Sequence, residues 1–302
     1  MVNRGIFYLI MAIVLWSGNY ICGRFLADAL PPHLLNTIRW VISTIILFAI
    51  LFYKKKRIRL ILNWKEFLIS GFFGIFVFST LLYWGLNYLT ASQVGMITAF
   101  TPISILLFAI VLLRENISRQ GLIGTVISVI GVFILFLGKS NAEEAGSWFG
   151  GILIILASLS WGIYTVLSKK YSNKFDPLTF ITGASFYGAI LSAISCIGTV
   201  RVEHIQMTLE TWLAVVYVST LASVVAFIAW QIGVQQVGAG YSAPFMNLMP
   251  VCTLLFGIIL LNETVTIISL IGGSISIVGA LLASFPKPIT ERFLTQKRSE
   301  KL

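Results

Sequence analysis

Charged side chains are scarce in this chain, and their scarcity excludes an ordinary water-soluble fold. Asp, Glu, Lys and Arg make up 11% of the 302 residues, whereas 58% are hydrophobic and the mean hydropathy is +0.94. A soluble domain typically carries about 25% charged residues. The composition therefore indicates an integral membrane protein that is embedded almost entirely, without a soluble catalytic or nucleotide-binding domain.

Cysteine and histidine are also rare, which argues against metal, redox and catalytic chemistry. The three cysteines, Cys22, Cys196 and Cys252, are scattered through separate apolar stretches, a pattern that favours buried free thiols. His33 and His204 are isolated at predicted helix ends. An integral-membrane enzyme would need an activated nucleophile or a metal cluster. We therefore predict no cofactor, no metal site and no catalytic residue, and keep a membrane enzyme only as the weaker alternative.

The predicted membrane interior lacks acidic residues. None of the eleven Asp and Glu residues falls at the centre of a predicted span. Proton-coupled pumps usually place a carboxylate or a histidine in the membrane interior. This absence argues against proton coupling but leaves it open, because a substrate carboxylate or a chain of water molecules can also carry a proton.

What the sequence does contain is a series of ten long apolar stretches. A stretch of about 20 apolar residues is long enough to cross a hydrocarbon layer about 30 Å thick. The predicted spans are 5–27, 33–53, 66–89, 91–113, 118–138, 148–168, 177–199, 212–235, 240–261 and 265–285. The sequence therefore predicts an all-α integral membrane protein with ten transmembrane helices.

The distribution of basic residues predicts the orientation of these helices. Of the 21 Lys and Arg residues, Arg24 and Arg39 lie within spans, and only Lys139 and Arg201 fall on the side opposite the termini. Because cytoplasmic loops are enriched in Lys and Arg, we expect cytoplasmic N- and C-termini, a basic cytoplasmic tail at 286–302, and a location in the plasma membrane. Topology thus explains the net charge of +10, and no nucleic-acid partner is predicted.

The chain also matches itself at an offset of 145 to 148 residues, which indicates an internal repeat. The matched pairs are Trp16 with Trp161, Trp84 with Trp230, Pro102 with Pro250, Glu115 with Glu263, Gly124 with Gly272, Ser128 with Ser276, and Gly131 with Gly279. Shared Pro, Glu and Gly positions do not arise from apolar composition alone. We therefore predict two repeats, at 5–138 and 148–285.

The second repeat is predicted to be inverted relative to the first. Each repeat contains five spans, and an odd number of spans makes the second copy enter the membrane upside down. The loop after the second span has six basic residues, whereas the loop after the seventh span has only Arg201. Inverted repeats can exchange conformations, so that a central site opens first to one side and then to the other. This is the structural basis of alternating access.

Taken together, these features resemble a known family of transporters. Each unit has a Trp in its first helix, a Pro in its fourth, a Leu-Leu-x-Glu ending and a Gly-spaced fifth helix, and in this the units are similar to the two EamA repeats of the drug/metabolite transporter superfamily. The resemblance covers 5–285. It implies a secondary transporter of small metabolites, often amino acids moving out of the cell, with a central cavity lined by the first, third, fourth, sixth, eighth and ninth helices.

One feature of multidrug relatives is missing. The four-span multidrug members of the superfamily use a Glu in the first helix, where this chain has Trp16, Ser17 and Asn19. A cationic-drug antiporter is therefore not expected. We predict an exporter or facilitator of a small organic metabolite, with an importer of the same solutes as the alternative direction.

Aromatic and neutral polar side chains are the predicted lining of the cavity. Trp16, Asn19 and Tyr20 share one face of the first helix. The other helices contribute Tyr83, Trp84, Asn87, Thr98, Thr101, Trp161, Tyr164, Thr165, Ser223, Trp230, Gln231 and Asn247. Aromatic walls with a few amide and hydroxyl groups suit a small amphipathic or zwitterionic solute. For the two matched tryptophan pairs, packing between helices is an equally good interpretation.

Pro102 and Pro250 are predicted to interrupt the fourth and ninth helices at matching depths. A proline within a helix frees a backbone carbonyl and bends the helix. Paired breaks of this kind are typical of a central binding or gating region. A kink that serves packing alone is the alternative.

Arg39 is an unusual charge, about 9 Å inside the outer end of the second span at about 1.5 Å per residue. Its repeat counterpart is Ala184, so the repeat does not require a charge there. The favoured interpretation is a side chain that snorkels and pairs with Asp28 or caps carbonyls of the first helix. The other interpretation is a guide for a substrate carboxylate.

Two further features of the fifth and tenth helices carry structural predictions. Glu115 and Glu263 are expected to stabilise the N-termini of these helices. The Gly and Ser ladders at 124–128 and 272–276 predict close packing, either between helices of one chain or in a homodimer. The sequence does not choose between these two contacts.

Overall fold

The computed structural model describes residues 2–89, 91–137, 148–197, 207–261 and 266–284. These residues form α-helices with short π-helical and 3-10 segments and no strand. Helix is the expected outcome, because a spanning segment in hydrocarbon has to satisfy its backbone hydrogen bonds internally. The predicted tail at 286–302 lies outside the described residues.

The helices are named here in chain order. They are α1 (Val2–Ala29), α2 (Pro32–Tyr53), α3 (Trp64–Gly71), α4 (Phe78–Tyr88), α5 (Ala91–Thr98), α6 (Thr101–Leu113), α7 (Arg119–Leu137), α8 (Trp148–Lys170), α9 (Pro177–Cys196), α10 (Leu209–Thr220), α11 (Ala226–Val237), α12 (Ala239–Ser242), α13 (Leu248–Leu261) and α14 (Ile267–Ser284). Two π-helical segments, Phe72–Val77 and Leu221–Val225, join α3 to α4 and α10 to α11.

Within the described part of the chain, six helices are long and apolar enough to cross a membrane. They are Arg4–Ala27, Pro32–Tyr53, Trp64–Tyr88, Trp148–Lys170, Pro177–Cys196 and Leu209–Val237. They coincide with the first, second, third, sixth, seventh and eighth predicted spans. The other four predicted spans contain shorter or interrupted helices, so the count of ten and the inversion of the repeat stay predictions.

The interruptions in the fourth and ninth predicted spans occur next to proline. Pro102 lies in the first turn of α6, after a two-residue break that follows α5. In the ninth span a 3-10 segment, Ala243–Asn247, contains Pro244 and separates α12 from α13, whose first turn contains Pro250. Proline has no N–H to donate and fits the first turn of a helix, where that donor has no partner in any case.

Helices α7 and α14 form a close antiparallel pair within the chain. A Cβ added at Gly124 would lie 2.5 Å from the backbone nitrogen of Ala283, and one added at Gly131 would overlap the backbone of Ser276. Between them, the Ser128 hydroxyl donates to the Ser276 carbonyl at 3.1 Å. The small-residue ladders are therefore occupied inside one chain, and they give no support to the homodimer.

Glu115 stabilises a helix end, although not the predicted one. Its carboxylate accepts hydrogen bonds from the backbone N–H groups of Ala239 at 3.3 Å and Gly240 at 2.9 Å, at the start of α12. The prediction that it serves the fifth helix is wrong, because the backbone of Arg114 is left-handed (φ 53°) and turns the chain before α7 begins. Glu263 lies outside the described residues.

A second carboxylate connects the loops on one side of the bundle. Asp176 caps α9, where it accepts hydrogen bonds from the Thr179 N–H at 3.4 Å and hydroxyl at 2.6 Å. It also pairs with Lys56, whose Nζ lies 2.7 Å from its Oδ1. Partial burial opposes ionisation of Asp176, but the hydrogen bonds from Lys56 and Thr179 outweigh it and lower the pKa of the carboxyl below 3.8.

We expect Asp176→Ala to destabilise the purified protein by about 1 kcal/mol at pH 7, because the helix cap is lost and the exposed ion pair contributes little. Asp176→Asn, which keeps a capping oxygen, should lose less. Since the folded pKa is lowered, the stabilisation is complete above the ordinary value of 3.8 and disappears as the pH falls through the folded pKa. Thermal unfolding in detergent across pH checks this, and a difference between variants that persists undiminished in acid would contradict it.

We expect Gly272→Ala to destabilise the protein by about 1–3 kcal/mol, because the added methyl group would overlap the backbone nitrogen of Leu135. The neighbouring Gly273→Ala is the matched control. Its methyl group would lie 3.6 Å from side-chain carbons of Leu135 and Val251, an ordinary contact. Melting temperatures of the two variants in the same detergent test the prediction, and equal melting temperatures would show that α7 and α14 are not closely packed.

Candidate functional site

A narrow cavity of about 20 Å³ lies between the helices of the bundle. Its lining residues come from both predicted repeats. They are Trp16, Asn19, Tyr20, Arg39, Phe78, Leu82, Trp161, Phe227, Met246 and Met249. Five of these ten described residues have aromatic side chains, and one of the ten is charged.

Trp16 is the centre of the aromatic wall. Its ring centroid lies 5.1 Å from that of Trp161, 5.3 Å from that of Phe227 and 5.4 Å from that of Trp230. The first two contacts are edge-to-face, an arrangement that aromatic rings favour. The Trp16 Nε1 donates to the Ala222 carbonyl at 2.9 Å, which fixes the indole in this orientation. The matched pair Trp16 and Trp161 thus meets at the cavity.

Several buried polar atoms around this cavity have no hydrogen-bond partner among the described residues. They are Asn19 Oδ1, Trp161 Nε1, Trp230 Nε1, and both side-chain polar atoms of Asn247. Leaving a buried donor or acceptor unpaired costs about 1–3 kcal/mol. A polar solute in the cavity can form hydrogen bonds with groups of this kind, and both Asn19 and Trp161 line it directly.

Arg39 is the charged residue of the cavity, and the snorkelling interpretation of it is wrong. The residue is 2% exposed. Its Nε donates to Ser223 Oγ at 2.5 Å, and its Nη1 donates to the Tyr83 hydroxyl at 2.7 Å. The guanidinium carbon also lies 5.2 Å from the ring centroid of Trp40. The side chain therefore turns inward, because neutral polar groups and aromatic rings offer it contacts there.

The π-helical segment Leu221–Val225 positions one of these partners. Ser223 lies within it and donates its own hydroxyl hydrogen to the Val218 carbonyl at 2.7 Å, five residues back. Its oxygen is thereby oriented to accept from Arg39. Single π turns inside α-helices are frequent at functional sites. The sequence predicts Ser223 and Tyr83 as lining residues, but it does not reveal the π turn or their link to Arg39.

A chain of hydrogen bonds lies behind the aromatic wall. Gln231 Nε2 donates to the Tyr164 hydroxyl at 2.6 Å, and the Ser168 hydroxyl donates to Gln231 Oε1. Tyr164 packs against Trp161 with ring centroids 5.2 Å apart. Tyr164 and Gln231 are both buried but are not among the described lining residues of the cavity. Instead, Gln231 holds Tyr164, and Tyr164 packs against Trp161.

The remaining predicted residues are not among the described lining residues of the cavity. The Thr101 hydroxyl donates to the Ser158 hydroxyl at 3.1 Å, and the Thr98 hydroxyl donates to the Gly95 carbonyl at 3.0 Å. Thr165 is buried in the same helix as Trp161, four residues further along. Trp84 and Asn87 are exposed, and Trp84 packs on His33 with ring centroids 4.9 Å apart. The structure does not bring Trp84 and Asn87 to the cavity. Of the matched pair, Trp84 is exposed at the edge of the bundle, whereas Trp230 is buried in the interior of the bundle.

Besides Arg39, five lining residues are absent from the predicted lining: Phe78, Leu82, Phe227, Met246 and Met249. Phe78 and Leu82 lie in α4, which directly follows the π-helical segment Phe72–Val77. Apolar residues of this kind occur throughout the chain, so composition gives no signal that separates them from lipid-facing ones. In the part of the chain that the structure describes, no group of His, Cys, Asp and Glu side chains could hold a metal ion.

The comparisons with known proteins agree with this architecture. The chain is 28% identical over 267 residues to the uncharacterized transporter YetK of Bacillus subtilis (strain 168), which covers 87% of this chain and 80% of that protein. It is 23% identical over 290 residues to the uncharacterized transporter YyaM of the same organism, covering 94% and 95% respectively. A solved crystal structure with 20% identity has the same fold, with a TM-score of 0.77 and coverage of 94% of this chain and 97% of that chain.

The family comparison covers most of the sequence. The model of the EamA-like transporter family matches residues 3–137 and 148–285. Together with the apolar helices and the names of the relatives, this match indicates a transporter rather than an enzyme. The chain belongs to the EamA-like transporter family and is a multi-pass membrane transporter.

Proposed function

We propose that this transporter exports, or equilibrates across the plasma membrane, a small organic metabolite such as an amino acid, by alternating access. The observation that carries the proposal is the central cavity, which combines aromatic walls with unpaired polar atoms and draws its lining from both matched regions. Aromatic surface binds the apolar part of a solute, and a few polar groups orient it. Export follows the direction common in the family that the sequence resembles, and uptake is the alternative.

Alternating access is supported by the arrangement of equivalent helices. Trp16 and Trp161, which correspond in the two repeats, meet ring to ring at the cavity. The equivalent helices α7 and α14 run antiparallel, as an inverted repeat requires. In the described state the rings pack across the cavity and leave it narrow. We infer that the rings separate when the site opens, and that exchange between the two halves alternates the opening.

The proposed binding residues are those that the geometry brings to the cavity or directly behind it. The solute contacts Trp16, Asn19, Tyr20 and Trp161. Further buried polar atoms without a partner among the described residues belong to Trp230 and Asn247. The breaks next to Pro102 and Pro250 are the proposed gating points. Both termini are placed in the cytoplasm by the charge distribution, since the basic loops favour that side.

We expect cells that express the wild-type protein to accumulate a small metabolite in the growth medium that cells expressing Trp161→Ala do not. The substitution removes the ring that packs against Trp16 and Phe227. Untargeted analysis of the medium, at matched amounts of protein in the membrane, makes the measurement. Trp84→Ala is the control, because Trp84 lies away from the cavity.

Indistinguishable media from wild type and Trp161→Ala would overturn export under those conditions and favour uptake or another activity. If Trp84→Ala abolished accumulation of the metabolite in the medium as completely as Trp161→Ala does, at the same amount of protein in the membrane, the cavity would not be the binding site. Ohmic current in a bilayer instead of saturable flux would overturn alternating access.

For gating, we expect Pro102→Ala to slow transport, because alanine allows a helix to continue across the break between α5 and α6. The maximal flux of the solute identified above should fall severalfold, while the half-saturating concentration changes by less than about twofold. Pro177→Ala is the control, because Pro177 begins α9 outside either broken helix. A loss of affinity without a change in maximal flux would mean that the break shapes the binding site instead.

A further inference from the structure

We propose that Arg39 binds a carboxylate group of the transported solute, so that the transporter selects small carboxylates with an apolar remainder. This inference rests on the proposed transport function and extends it by naming the chemical class of solute.

The charge of Arg39 has no counterion among the described side chains. The residue is 2% exposed and lies within a candidate membrane span. The ion pairs in the described part of the chain are Lys56 with Asp176 and Lys174 with Glu66, far from it in the fold. Burial of an unpaired charge is strongly unfavourable. Neutral Ser223 and Tyr83 solvate the guanidinium without neutralising it, so an anion from the solute would complete the site.

The geometry leaves part of the guanidinium free for that anion. Nε and one N–H of Nη1 are used, whereas the described residues offer no acceptor to Nη2. Because Arg39 lines the cavity, a solute can reach the unused donors. A guanidinium presents its N–H groups in one plane and in a spacing that matches the two oxygens of a carboxylate. Ser223 and Tyr83 hold this plane in place before the solute arrives.

The rest of the wall narrows the class of solute. Among the described lining residues, Arg39 is the single charged side chain, so the described site matches one carboxylate better than a doubly charged phosphate. Trp16, Trp161 and Phe227 provide an apolar surface for the remainder of the molecule. Asn19 Oδ1 is buried, lines the same cavity and has no described donor, so it can accept from an N–H group. An α-amino acid with an apolar side chain has all three complementary groups.

The first test repeats the medium comparison with Arg39→Gln, Arg39→Lys and, as the matched control, Arg59→Gln in an exposed loop. The metabolites that wild type exports should carry a carboxylate. Arg39→Gln should reduce their export by at least about tenfold at matched membrane levels, Arg39→Lys should restore part of it, and Arg59→Gln should have no effect.

The second test needs no variant and so does not depend on how Arg39→Gln folds. Purified wild-type protein is heated in detergent with L-phenylalanine, with 3-phenylpropionate, or with L-phenylalaninamide, which lacks the carboxylate. The two carboxylates should raise the melting temperature and the amide should not. If L-phenylalanine raises the melting temperature more than 3-phenylpropionate does, the protein also contacts the amino group. If the two compounds raise it equally, the carboxylate is the recognised group.

The outcomes separate this inference from the proposed function. If wild type exports solutes without a carboxylate, or if the amide stabilises the protein as well as the acids do, the role of Arg39 is wrong while transport stands. If none of the three compounds raises the melting temperature, the proposed solute class is overturned. If wild type moves no metabolite in either direction, the proposed function itself fails.

Discussion

Lipid hydrocarbon neither donates nor accepts hydrogen bonds, so the polar groups of a spanning segment must find partners inside the protein or in a bound solute. The helices satisfy the backbone in this way, and many hydroxyl groups bond to a carbonyl one turn earlier, as Thr182 does with Leu178. Among the described residues, Asn19 and Trp161 at the central cavity have buried polar atoms without a partner, as do Trp230 beside it and several buried groups elsewhere. A site that is incomplete by itself in a dry environment is suited to a solute that completes it.

The same constraint explains why the irregular backbone of this protein is informative. A broken helix exposes carbonyl and N–H groups, which are tolerated at membrane depth only where protein or a cavity surrounds them. The break next to Pro244 and the π-helical segments Phe72–Val77 and Leu221–Val225 adjoin residues that line the cavity, whereas none of the described lining residues comes from α5 or α6. Elsewhere the helices pack closely, and the contact is tightest where α7 and α14 meet through glycine and serine residues. Irregular backbone thus lies beside the cavity, and the closely packed pair α7 and α14 contributes none of its described lining residues.

Sequence reasoning located part of the cavity because the signals it used were local. Trp16, Asn19 and Tyr20 share a helical face, and their common position at one cavity follows from helix periodicity. Prediction from the sequence failed where the position of a side chain depends on a neighbour from a distant part of the chain. Arg39 turns inward because Ser223, from a distant helix, accepts its hydrogen bond. Trp84 matches Trp230 in the sequence comparison of the two halves, yet it packs on His33 and is exposed. Positions that match in sequence need not have equivalent surroundings.

The sequence by itself determined the membrane class, the apolar helices and the family, since composition, hydropathy and repeated Pro, Glu and Gly positions are properties of the chain that need no contacts. Only the tertiary structure decided which side chains meet. It joined Arg39 to Tyr83 and Ser223, made Glu115 a cap for α12, and used the glycine ladders within one chain. The physical reason is that burial and hydrogen bonding depend on distances between remote segments, and these distances are fixed only when the helices pack.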